Sequence, residues 1–128
     1  MNVNIEEPGT VAKICLGINS GYNNDKEPDN WYLIRTKIQD ILKEAEAECG
    51  TYVSFTMVPG HVIYKMQWGC KHGGKPVALL EATRNSTFNS DENEWRRAVQ
   101  CVARKLKEQF KQSTLTVSFQ EADVVYMR

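Results

Sequence analysis

No apolar run in the 128 residues approaches the ~20 needed to span a bilayer, so neither a transmembrane helix nor a membrane partner is expected. Charge of one sign is not in excess either: 16 Lys and Arg stand against 16 Asp and Glu. Tracking a phosphate backbone requires a strong basic surplus, which excludes a long nucleic acid as partner. Histidine is scarce, with only His61 and His72, and neither belongs to an HExxH, a GxSxG or a Cys-His pairing. The carboxylate pairs Glu46/Glu48 and Glu92/Glu94 lie two apart on expected helices and point in different directions, so they form no acid–base pair. No CxxC occurs. Cys15, Cys49, Cys70 and Cys101 read as reduced thiols, with Cys49 and Cys101 acting as small hydrophobes on helices. Cys70 and His72 are two ligands, too few for a structural zinc site, and no metal or cofactor is expected. Met1 to Pro8 is polar and acidic, unlike a secretory signal, which points to the cytoplasm.

What the chain does contain is an ordinary globular composition, 41% hydrophobic and 25% charged. Its length suits one domain over residues 1–128, with residues 1–10 as a flexible N-terminus. Val11 to Ile18 alternates apolar and other residues as a strand does. Asn19 to Asp25 is a loop of residues that hydrogen-bond their own backbone. Pro28 and Asp29 open a helix whose stripe runs Trp31, Ile34, Ile38, Ile41, Leu42, Ala45 and Cys49, with Gly50 as its stop. Thr51 to Val58 and His61 to Trp68 read as strands folded about a type II turn at Pro59-Gly60. After a glycine-rich reversal, Pro76 to Arg84 is the next strand. Asp91 and Glu94 have capping-box spacing ahead of a helix buried through Trp95, Ala98, Val99, Val102, Leu106 and Phe110. Thr114 to Phe119 closes as a strand, with Val124 to Met127 as a short edge. The expected fold is α+β: a mainly antiparallel sheet with two helices on one face, in the order β-α-β-β-β-α-β. The sheet's other face is left for a second copy of the chain.

The charges are unevenly placed. Residues 1–60 carry 5 basic and 9 acidic side chains, net −4, and residues 61–128 carry 11 and 7, net +4. A small anion would find its counter-charges in the second half, although two solvated helix faces of opposite sign give the same count. Arg84-Asn85-Ser86-Thr87-Phe88 brings a guanidinium, an amide, two hydroxyls and an aromatic into one loop, the groups that hold a nucleotide. Phe88 serves equally well as a staple for the following helix. Asn19, in the loop after the first strand, and Arg97 are further ligand-binding candidates. No catalytic residue is assigned.

Gly17-Ile18-Asn19-Ser20-Gly21-Tyr22-Asn23-Asn24, Trp68-Gly69-Cys70 with Gly73-Gly74, Asn85 with Phe88, Lys105-Leu106-Lys107-Glu108 and Gln112 to Phe119, in this order, resemble the first anti-Thoeris family of phage proteins. The resemblance implies a phage anti-defence sponge that is not an enzyme. Such a protein sequesters cyclic ADP-ribose isomers, including glycocyclic ADP-ribose, without cleaving them, and in some members also holds cyclic di- or trinucleotides. It implies a homodimer or homohexamer in the host cytoplasm. The competing expectation is an interaction module that inhibits a host enzyme by binding it directly.

Overall fold

The computed structural model describes residues 4–20 and 26–127. Its elements are β1 (Asn4–Gly17), α1 (Trp31–Cys49), β2 (Thr56–Val62), a single 3-10 turn at Met66–Trp68, β3 (Lys75–Thr83), α2 (Glu92–Gln109) and β4 (Thr116–Met127). The four strands form one sheet in the order β2-β3-β1-β4, with every neighbouring pair antiparallel. The expected class holds: α+β, an antiparallel sheet, and both helices on one face. Alternation creates that face. Ala12, Ile14 and Leu16 of β1 and Ala78, Leu80 and Ala82 of β3 are buried against Ile38, Ile41 and Ala45 of α1 and Trp95, Val99 and Leu106 of α2.

Both helices begin at the side chains their sequences supply. The Asn30 carboxamide accepts from the Tyr32 N–H at 2.9 Å, and the Asp91 carboxylate accepts from the Glu94 N–H at 3.1 Å. Gly50 closes α1 in the left-handed region, at φ 75°, and donates to the Glu46 carbonyl.

Several local expectations are corrected. Residues 1–10 are not a flexible arm where the structure describes them, because Asn4 to Thr10 pair in register with Glu121 to Met127. For the same reason β4 is one continuous strand. Segment 51–68 carries a single strand in which Pro59 and Gly60 stand opposite Ala78 and Val77. A type II turn needs positive φ at its glycine, and Gly60 is not among the positive-φ glycines. Pro59 is tolerated because β2 is an edge strand, whose outer N–H groups need no ladder partner. Cys49 and Cys101 are not separate thiols: they form a disulfide joining the end of α1 to the middle of α2, and Cys15 and Cys70 remain free. The loop expected at Asn19 to Asp25 lies outside the described residues from Gly21 onward.

Candidate functional site

Two clefts flank the part of β1 that the helices cover. The larger, about 560 Å³, opens where β1 ends, between Ile18, Val62, Tyr64, Lys75, Gln112 and Leu115. That volume lies within the range of small-molecule sites. Its floor depends on a glycine, since a Cβ on Gly17 would lie 2.2 Å from Gln112 Oε1. Gln112 occupies that space and donates through Nε2 to the carbonyls of Asn19 (2.7 Å) and Phe110 (2.9 Å). Asn19 in turn donates to the Lys26 carbonyl at 2.7 Å. Lys111 adopts φ 53°, the left-handed conformation that turns the chain out of α2 and along the cleft. Lys75 lies 5.5 Å from the centre of the Tyr64 ring. The described walls hold two lysines, Lys75 and Lys111, and no carboxylate. Cys15 lies in the same wall, and burial raises its thiol pKa.

The smaller cleft, about 310 Å³, lies toward the other end, between Pro8, Gly9, Arg84, Glu92, Glu121 and Asp123. Arg84 is only 8% exposed. Its backbone N–H donates to the Thr10 carbonyl at 2.8 Å, and its Nη1 donates to the Asn89 carbonyl at 2.9 Å. Nη2 reaches the Pro8 carbonyl at 3.5 Å, and Nε has no acceptor among the described residues. Glu92, in the first turn of α2, accepts from the hydroxyl of buried Thr10 and from Arg96 at 3.4 Å. The Thr10 hydrogen bond, aided by Arg96 and Arg84 and opposed by desolvation, holds the Glu92 carboxyl below the ordinary carboxylate range.

The candidate residues are therefore distributed over three places. Arg84, Asn85 and Phe88 share the loop after β3. There the Asn85 side chain accepts from the Thr87 N–H at 2.9 Å, and its carbonyl accepts from the N–H groups of Phe88 and Asn89. Phe88 is 66% exposed and meets Tyr126 edge-on at 5.4 Å, so it is not a buried staple for α2. Asn19 belongs to the larger cleft. Arg97 is exposed on α2 beside Cys49 and Gly50, apart from both clefts. His61 pairs with Glu27 at 2.7 Å, and Lys71 lies 3.7 Å from the same carboxylate oxygen. Among the described residues, no group of three or more His, Cys, Asp or Glu side chains could hold a metal ion. No helix among them is long and apolar enough to cross a membrane.

Sequence reasoning missed Glu121 and Asp123, yet a signal existed. They continue the odd-numbered positions of Leu115, Val117 and Phe119, so two carboxylates fall on the face of β4 that is otherwise directed at the core. Gln112 and Tyr64 carried no comparable signal.

The SAM lyase family matches residues 10–128, and the chain belongs to that family. Two solved structures share the fold. A phage SAM lyase in complex with S-methyl-5′-thioadenosine is 21% identical, with a TM-score of 0.60, over 94% of this chain and 88% of that one. A phage SAM lyase in its apo state is 22% identical, with a TM-score of 0.58, over 94% and 89%. No curated protein matches the chain. The family is not the anti-Thoeris family that the sequence blocks resemble, and its membership overturns the expectation of a protein without enzymatic activity. The sequence holds no GxSxG, HExxH or Cys-His motif, and that absence says nothing of a cleavage in which the substrate supplies its own nucleophile and leaving group.

Proposed function

We propose that the chain cleaves S-adenosylmethionine, releasing S-methyl-5′-thioadenosine. The observation that carries this reading is the family match over residues 10–128. To leave that thioether without water, the bond between the sulfonium sulfur and the γ-carbon of the amino-acid chain must break. The substrate's own carboxylate can attack the γ-carbon from the side opposite sulfur and close a five-membered homoserine lactone. The C–S electron pair passes to sulfur, which departs as a neutral thioether. No proton is gained or lost, so no general acid or base is required. The protein's task is to hold the chain folded for attack and to exclude water while opposite charges cancel.

The larger cleft fits the adenosine half: Ile18, Val62, Tyr64 and Leu115 offer apolar surface, and Ser113, Thr114 and Thr116 offer hydroxyls. Arg84 lies beside Thr10 and Asn19 lies beyond Gly17, positions separated by roughly 20 Å of strand at about 3.3 Å per residue. One ligand cannot touch both within one protomer. A second copy, bringing its Arg84-Asn85-Phe88 loop to the Asn19 cleft of the first, unites them in a homo-oligomer. On this reading the enzyme acts in the cytoplasm of a phage's host, where it consumes the methyl donor.

The test is mass spectrometry of S-adenosylmethionine incubated with the protein, read against buffer alone because the substrate also decays unaided. Formation of S-methyl-5′-thioadenosine and homoserine lactone above the buffer rate is expected; an unchanged rate would sink the reading and leave the direct inhibitor of a host enzyme. Cyclic ADP-ribose isomers and cyclic oligonucleotides share the adenosine unit and belong in the same assay as competitors.

A further inference from the structure

We propose that the smaller cleft, beside Thr10, of the second copy binds the amino-acid and sulfonium end of a substrate whose adenosine lies in the larger cleft of the first, with Arg84 taking the α-carboxylate and Glu121 and Asp123 facing the two positive charges. This rests on the lyase reading above. S-adenosylmethionine carries a sulfonium, an α-ammonium and an α-carboxylate, a net charge of +1, and the described lining of the larger cleft offers no carboxylate to the cations. The smaller cleft has the inverse pattern, with one guanidinium among three carboxylates.

These carboxylates are not equivalent. Glu92 is occupied by Thr10 and Arg96. Glu121 and Asp123 are exposed and make no hydrogen bond or ion pair among the described residues. They stand opposite Thr10 and Pro8, two residues apart and on one face, about 7 Å from each other along the strand. Two anions so placed match two cations separated by a short carbon chain.

Arg84 supplies the independent observation. It is buried, it lines the same cleft, and its Nε–H lacks an acceptor among the described residues. A buried donor left unpaired is unfavourable, and a ligand carboxylate oxygen satisfies it. Holding one oxygen leaves the other free to attack the γ-carbon. S-methyl-5′-thioadenosine retains none of the three charges, so this end of the site loses its hold once the bond has broken.

The experiment uses the double variant Glu121→Gln/Asp123→Asn, in which both positions are exposed and the fold is spared. KM and kcat for S-adenosylmethionine and the inhibition constant of S-methyl-5′-thioadenosine are compared with the wild type. A KM raised about tenfold or more, as befits lost charge pairing, is expected with the inhibition constant unchanged within about twofold. An unchanged KM, or an inhibition constant that rises in proportion, overturns the assignment. A wild-type protein without turnover overturns the lyase reading and this one with it, so the two failures are distinguishable.

Discussion

The Thr10 hydroxyl donates a hydrogen bond to Glu92 across 82 positions of sequence, tying the middle of β1 to the first turn of α2. Thr10 is completely buried, so its hydroxyl has no water to turn to, and Glu92 is the partner that makes its burial tolerable. The same bond lowers the Glu92 pKa. A carboxyl depressed in the folded state contributes stability above its unfolded value, about 4.3, and loses that contribution as pH falls through the folded value. Thr10→Val should therefore lower the melting temperature at neutral pH and flatten its fall below pH ~4.3. Parallel melting curves for wild type and variant across that window would refute the pairing.

Reduction should loosen the helix layer. The Cys49–Cys101 disulfide closes a loop of 52 residues, which in the chain-entropy account is worth on the order of 4 kcal/mol. Dithiothreitol, or Cys49→Ala, should lower the melting temperature by roughly 10 °C or more. Thiol titration in denaturant should count two groups, Cys15 and Cys70, before reduction and four after it.

Phe88→Ala separates a binding role from a structural one. Its ring is exposed apart from the edge-on contact with Tyr126, so the cost in stability should be about 1 kcal/mol. Substrate affinity should fall further than that. A large drop in melting temperature with unaltered affinity would assign the ring to the fold instead.

Gly17→Ala should act through Gln112. The added methyl occupies the place of the carboxamide and breaks its bonds to Asn19 and Phe110, at a cost of about 1–3 kcal/mol for the two. Because Gln112 lines the larger cleft, turnover should fall as well. Gln112→Ala in the Gly17→Ala background should then add little, since the two changes remove the same contacts.

Much of this architecture was legible beforehand. Strand alternation at Ala12, Ile14 and Leu16, the helical stripe from Trp95 to Phe110, the Asp91 cap and the Gly50 stop are local patterns, and each survives in the fold because its apolar face has one place to go. The site was less legible. Arg84, Asn85 and Phe88 drew notice as a cluster of polar and aromatic groups in one loop. That Arg84 is buried with no acceptor for its Nε among the described residues, and that it shares a cleft with Glu121 and Asp123, follows from strand pairing some forty residues away.

By itself the sequence determined what depends on near neighbours: element types, helix ends and the inner face of each strand. Tertiary structure decided what depends on partners distant in the chain. Pro59-Gly60 became strand because β3 offered a ladder, Cys49 met Cys101 because α1 lies on α2, and β1 extended back to Asn4 because β4 ran out to meet it. The physical reason is the same in each case. A turn, a free thiol and a loose end are the local optima of short segments, and each gives way where a second segment supplies hydrogen bonds or a sulfur that the first lacks.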